Sequence, residues 1–391
     1  MRLCPISEIE TGMIVGKSIY HSNGNLVLAA GYRFTPPIKA KLESRGYSHV
    51  YIMEDGTEDI VPEDIISDEV KCQAKMKLAD KMKEIHFRKE FINANRDKAV
   101  KLINEGYLKD INITYEMRKI VAEILKDISS AGAKLINTVM IKSSNEYFLD
   151  HALNVTVLSI FIARKYRFSR KEIASLALGA FLHDIGKVVI NQMVGEDKSN
   201  DESNELYAEH PTFGYLMLHE SPNVTPLESQ VVNQHHEYQD GSGFPIGLKG
   251  SNQPPINIPG CETKGHIFRF AEICCVANAF DKLNYNPLSK EMKTPDQAMK
   301  SLIINSGTLY NKDIVETLAQ VLPFYPVGAT VKVVNIIDPS LIGCRGVVAR
   351  IHKDKINRPV IILTRNKFLK KINPITIDTS EHQSVKLKLI I

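Results

Sequence analysis

The chain has 391 residues, 43% of them hydrophobic, with 49 basic and 45 acidic side chains and a formal charge of +4. That length and apolar content suffice for a sizeable core and for two or three domains, which excludes a disordered chain. The balanced charge offers no large single-sign field of the kind a dedicated DNA- or RNA-binding protein carries, so an anionic ligand must be met locally.

Six cysteines (Cys4, Cys72, Cys261, Cys274, Cys275, Cys344) show no CxxC spacing and no paired framework, which fits a reducing cytosol. The opening "MRLCPISEIE" has no apolar signal core. No run approaches the roughly 18 apolar residues that span a bilayer. A cytoplasmic protein without a membrane segment is expected.

In chain order, residues 1–53 alternate short β-type runs with turn signals ("GMIVGKSIYHSNGNLVLAAG"), then give a helical "PPIKAKLESRG" and a strand-like "YSHVYIM". This pattern predicts a small α+β module. Residues 54–69, "EDGTEDIVPEDIISDE", hold eight acidic residues and no basic one, and read as a solvated linker closing a unit over 1–69.

Residues 70–130 are expected to be connecting helices, with Leu78, Met82, Ile85 and Ile92 on one stripe of a basic helical stretch. Residues 131–325 are almost wholly helix-patterned, with loops near 195–205, 220–226 and 238–263. After "FYPVG", the runs "ATVKVVN", "GVVARIH", "PVIILTR" and "SVKLKLII" predict a small β-rich domain over 326–391. The fold class is therefore mainly α, a helical central domain between two small end modules.

The chemistry concentrates in the helical centre. "NEYFLDHALNVTVLSIFIARKY" is apolar almost all round, the mark of a buried helix, and carries His151. A single buried histidine reads most simply as a hydrogen-bonded core residue. Here His183 and Asp184 in "AFLHDIGKVVI", His210 in "AEHPTFGYL" and His235 and His236 in "VVNQHHEYQDG" join it beside apolar runs.

Imidazole nitrogen and carboxylate oxygen together suit iron, manganese or zinc. If "HDIGK" is helical, His183 and Asp184 point about 100° apart and reach two ions, with the aspartate bridging. Two metals roughly 3.5–4 Å apart trap a water as a bridging hydroxide and clamp the oxygens of an in-line displacement at phosphorus. Lys187, four residues after His183, is placed to meet a phosphate oxygen.

"HDIGK" followed by "HHEYQDGSGFP" resembles the HD-GYP branch of the HD phosphohydrolase superfamily, over roughly residues 140–305. The resemblance implies an all-helical HD-type domain whose metal centre hydrolyses cyclic di-GMP to pGpG, GMP or both. It assigns His151, His183, Asp184, His210, His235 and His236 to metal binding, with Asn278 at a further metal position. Asp184 and Lys187 become the catalytic pair, and Lys187, Lys290, Gly243 and Phe244 the substrate side. The implied cofactor is two transition-metal ions, iron or manganese, with zinc and others open.

Four positions depart from the family pattern. Phe244 keeps a ring but loses the tyrosine hydroxyl of GYP. Asn278 puts a neutral amide where an aspartate is usual, with Asp281 three residues on as a substitute only if the ion or helix shifts. Tyr147 stands where three-metal members carry glutamate, with Glu146 next door, so two metals are expected. Pro287 falls at an arginine position, leaving Lys290 nearby and Lys264 or His266 as replacements from a long loop.

Intact His183, Asp184 and Lys187 favour the enzyme. Asn278 and Pro287 favour the alternative, a degenerate domain acting as a cyclic di-GMP receptor or signalling scaffold. An HD hydrolase of another phosphoester is a third reading. The expected ligand is cyclic di-GMP, not DNA or RNA, and a homodimer or a signalling partner protein is left open.

Overall fold

The computed structural model describes residues 1–390 apart from residues 22, 132–145, 196–200, 220, 222, 257–264 and 286–291. The amino-terminal module contains β1 (Arg2–Pro5), β2 (Ile14–Val15), β3 (Ile19–Tyr20), β4 (Leu26–Leu28), α1 (Pro36–Ser44) and β5 (His49–Met53). β5 is the centre of an antiparallel β1-β5-β2 sheet, and β3 and β4 pair separately. Cys4, Val15, Phe34, Leu42, Val50 and Ile52 fill its core. Pro36 and Pro37 open α1, where fixed φ and a missing N–H do no harm.

The acidic stretch after β5 is not a solvated linker. Ile60, Ile65 and Ile66 are buried in it. The Glu54 side chain is mostly covered, held by Arg2 and by Arg365 Nη2 at 2.8 Å, and Asp64 is paired with Lys17 and Lys71. Counting charge along 54–69 misses cations that lie outside the stretch and isoleucines that anchor the segment between them.

The helices follow as α2 (Asp68–His86), α3 (Arg96–Asn104), α4 (Ile113–Ser130), α5 (Tyr147–Lys165), α6 (Arg170–Phe181), α7 (Lys187–Val194), α8 (His210–His219), α9 (Pro226–Gln234), α10 (Arg269–Asn284), α11 (Pro295–Ile304) and α12 (Lys312–Val321). Leu78 and Ile85 are buried on α2, as the stripe predicts, but the helix stops at His86 and Ile92 is 50% exposed. The helix ends before the stripe does. α4 buries Ile113, Met117, Ile120, Val121, Ile124 and Ile128, an amphipathic face that joins α2 in the same core as α5 to α12.

α5 is buried on nearly every side, against α2, α6, α10 and α12. Capping boxes start α6 (Ser169 with Glu172), α9 (Thr225 with Glu228) and α11 (Thr294 with Gln297). These fix where the helices begin, and therefore where their ends deliver side chains.

β6 (Thr330–Asn335), β7 (Arg345–Arg350), β8 (Val360–Arg365), β9 (Lys371–Asp378) and β10 (Lys386–Ile390) form one antiparallel sheet, in the order β10-β6-β7-β8-β9. β9 escapes the sequence reading because it is a mostly exposed edge strand carrying Pro374, a position where a proline is tolerated. Among the described residues no helix is long and apolar enough to cross a membrane.

Glu228 ties the bundle together. Almost fully buried, it caps α9 through Thr225, accepts from Ser175 Oγ at 3.0 Å on α6, and pairs with Arg118 Nη2 at 3.0 Å on α4. Glu228→Ala is expected to lower the unfolding free energy by about 2–3 kcal/mol, the worth of a charge-assisted bond whose partners stay behind. Denaturant unfolding of the full chain measures it, and an unchanged midpoint would show that water replaces these bonds.

Candidate metal centre

Four helices and one turn converge on a buried point. His151 comes from the first turns of α5 and His210 opens α8. His235 closes α9 with His236 just beyond it, and Asn278 lies on α10. "HDIGK" is not inside a helix: α6 ends at Phe181 and α7 starts at Lys187, so His183 and Asp184 sit on the tight turn between them. That turn, rather than a 100° helical step, sets how the two side chains diverge. It packs so closely on α8 that a Cβ on Gly186 would lie 2.1 Å from the His210 carbonyl oxygen.

Asp184 is 3% exposed and bridges two pairs of imidazoles. Its Oδ2 lies 3.5 Å from His183 Nε2 and 3.8 Å from His151 Nε2. Its Oδ1 lies 3.1 Å from His210 Nε2 and 3.7 Å from His235 Nε2. Within each pair the Nε2 atoms are 3.2 Å apart. His236 joins Asp184, His210 and His235 in one group able to hold an ion, and Asp184, His151 and His183 form a second.

The protonation of these rings decides what fits between them. Nδ1 of His183 donates to the Ala180 carbonyl oxygen at 2.7 Å, that of His210 to Tyr207 at 2.6 Å, and that of His235 to Val232 at 2.8 Å. Nδ1 of His151 donates to Asp281 Oδ2 at 2.8 Å. A carbonyl or carboxylate oxygen only accepts, so in each neutral ring the bare nitrogen is Nε2.

Burial pushes the imidazoles of His183 and His236 well below their ordinary value, that of His235 down, and that of His210 to about 3. Lone pairs therefore face each other across 3.2 Å beside a carboxylate. A metal cation between them, or a proton on one of each pair, removes that repulsion. Asp184 Oδ1, His236 Nε2 and Asn278 Oδ1 are buried without a hydrogen-bond partner, as ligand atoms for a metal would be. The donor set is nitrogen and oxygen, suited to iron, manganese or zinc.

Lys187 Nζ donates to Asp184 Oδ2 at 2.7 Å. Burial acts to raise the Asp184 carboxyl, but the Lys187 ammonium leads the opposing influences and the group is held well below the usual carboxylate range. Phe244 stacks on His236 with ring centres 4.5 Å apart, so the ring in the GYP position packs against a candidate ligand. A Cβ on Gly243 would come within 2.4 Å of the His236 oxygen, which explains a glycine there.

Tyr147 stacks on His151 at 5.4 Å between centroids. Glu146 is engaged by Lys75 at 3.2 Å and His21 at 3.5 Å. His266 is exposed, its Nδ1 donating to the Lys249 carbonyl oxygen. Lys290, Pro287 and Lys264 lie outside the described residues.

Glu237 escapes the sequence reading, and Asp281 has a part other than the one read for it. Glu237 is 1% exposed and accepts from the backbone N–H groups of Ile246, Gly247 and Leu248 at 2.7–3.2 Å. It thereby folds "DGSGFP" back onto His236, and its place in "HHE" was the signal. Asp281, read above as a substitute ligand, instead orients His151 and accepts from Asn154 Nδ2 at 3.0 Å.

Residues 136–314 match the HD domain family. Over that segment the chain is similar to HD domains, and its "HDIGK" and "HHEYQDGSGFP" motifs resemble the HD-GYP type. The chain is similar to a cyclic di-GMP phosphodiesterase of Pseudomonas aeruginosa, 26% identical over 215 residues, or 54% of this chain and 48% of that one. A cyclic di-GMP phosphodiesterase of Thermotoga maritima is 30% identical over 169 residues, 42% of each chain. A 3'3'-cGAMP-specific phosphodiesterase of Vibrio cholerae is 24% identical over 219 residues, 55% of this chain and 39% of that one. The chain thus matches less than half the length of each of these relatives.

Because Asp281 sets the tautomer of His151, Asp281→Ala is expected to weaken metal binding by about 10- to 100-fold, as loss of an outer hydrogen-bond partner does. Chelator competition on the loaded protein measures it, and wild-type retention would show that packing alone orients His151. Asn278→Asp adds a full charge where the amide gives a dipole and should strengthen retention in the same assay. Weaker retention would show that Asn278 lies outside the coordination sphere.

Proposed function

We propose that the HD domain is a metal-dependent phosphodiesterase that hydrolyses cyclic di-GMP to pGpG, GMP or both. The observation that carries this reading is the single Asp184 carboxylate placed between two pairs of bare imidazole nitrogens. His151, His183 and Asp184 would hold one ion, and Asp184, His210, His235 and His236 the other, with Asn278 as a further ligand. Ions held there, iron or manganese by preference, would supply Lewis acidity at phosphorus and activate water near neutral pH.

The protein groups divide the remaining work. Asp184 orders both halves of the centre. Lys187, held on Asp184, brings a positive charge to the phosphate side, and Phe244 keeps His236 in orientation while offering an apolar ring to a base. The relatives' names, cyclic di-GMP for two and 3'3'-cGAMP for the third, support a cyclic dinucleotide as the substrate class. Lys290 and Gly243 belong to the same substrate side in this reading. The units at 1–69 and 326–391 are sensory, regulatory or oligomerising modules in a cytoplasmic protein.

Asn278 supports a second reading, a receptor that binds cyclic di-GMP without turnover, because an amide leaves one ion short of negative charge. Turnover by anaerobically purified, metal-loaded protein separates the two. Asp184→Ala should abolish hydrolysis and lose metal. Lys187→Ala should keep its metal and lose about 10²-fold in kcat/KM, the scale of one transition-state donor. Hydrolysis by Asp184→Ala at the wild-type rate would refute the assignment, and tight binding without hydrolysis in the wild type would establish the receptor.

A further inference from the structure

A second ammonium lies beside the metal centre. Lys282, on α10 next to Asp281, donates from Nζ to the Tyr207 hydroxyl at 2.7 Å. The Tyr207 ring centre is 5.2 Å from Lys187 Nζ and 5.5 Å from Lys282 Nζ. The same ring lies 5.0 Å from the ring of His210 and 5.9 Å from that of His236. One phenol thus touches both lysines and flanks two of the imidazoles grouped around Asp184.

The two ammonium groups differ in what neutralises them. Lys187 has the buried carboxylate of Asp184 at 2.7 Å. Lys282, with one-fifth of its side chain exposed, has Glu202 Oε1 at 3.4 Å, from a side chain that is 65% exposed. That same oxygen accepts from the Tyr207 hydroxyl at 3.2 Å. An anionic oxygen therefore already sits where the two donors converge, carried by a solvent-facing side chain whose pairing is weak enough to be displaced.

We propose that Lys282 Nζ and the Tyr207 hydroxyl form a phosphate-oxygen site at the edge of the metal centre, occupied by Glu202 until a phosphate displaces it. Resting on the phosphodiesterase reading, this site and Lys187 together hold the phosphodiester of a cyclic dinucleotide from two sides. Lysine suits such a role as a mobile point charge with three donors. The site also gives the chain a described cation for the substrate, independent of Lys290.

Inorganic phosphate is the first probe, titrated calorimetrically into the metal-loaded full chain. Lys282→Met should weaken phosphate binding about tenfold, the loss of one charge-assisted bond, with metal content unchanged. Lys282→Arg should keep most of the affinity, and Glu202→Gln should tighten binding by removing the competing carboxylate. With cyclic di-GMP, Lys282→Met should raise KM more than it lowers kcat.

Wild-type phosphate affinity in Lys282→Met overturns the proposal. So does an equal loss in Lys282→Met and Lys282→Arg accompanied by loss of metal, which would make Lys282 a prop for Tyr207. A wild type that binds no phosphate overturns it as well. If the wild type hydrolyses no cyclic dinucleotide while Lys282→Met still weakens phosphate, the phosphodiesterase reading fails and the anion site stands.

Discussion

The HD domain depends on one electrostatic constraint: a buried carboxylate faced by bare imidazole nitrogens. Asp184 is ionised and almost wholly out of water, a state that costs several kcal/mol unless cations meet it. Lys187 meets one oxygen. The histidines do not meet the other as hydrogen-bond donors, since the Nδ1 protons of His183, His210 and His235 go to backbone carbonyls. The folded chain is arranged to be completed by positive charge, so a metal bound there would add to the stability of the centre as well as supply its chemistry.

That arrangement is maintained by residues that never face the ions. Asp281 holds His151 from α10, Glu237 gathers the loop that carries Phe244 to His236, and Gly186 lets the turn bearing Asp184 lie against α8. The capping boxes set the starts of the helices. Each ligand is therefore placed by a backbone that the core of α4, α5, α6 and α10 makes rigid, and a buried, pre-positioned site is the outcome.

Much of this was legible in the sequence because the centre is written in residue types that a core otherwise avoids. His151, His183, Asp184, His210, His235 and His236 all come together within the ligand groups. What was not legible depended on long-range partners. Asp281 looked like a spare ligand because sequence does not say that His151 points at it. The acidic stretch looked solvated because Arg2, Lys17 and Arg365 are remote in sequence and Lys71 lies just past its end. "HDIGK" looked helical because Gly186 is the sole local sign of the break, and β9 was hidden by Pro374. Lys282 drew no notice, being one lysine among many until Tyr207 is seen beside it.

The most direct test of the account is anomalous diffraction from crystals of the metal-loaded protein grown without oxygen or chelator. Two peaks are predicted on either side of Asp184, one within bonding distance of His151 and His183 and the other of His210, His235 and His236. A single peak, or a refined structure in which the facing Nε2 atoms are bridged by protons with no ion between them, would contradict it.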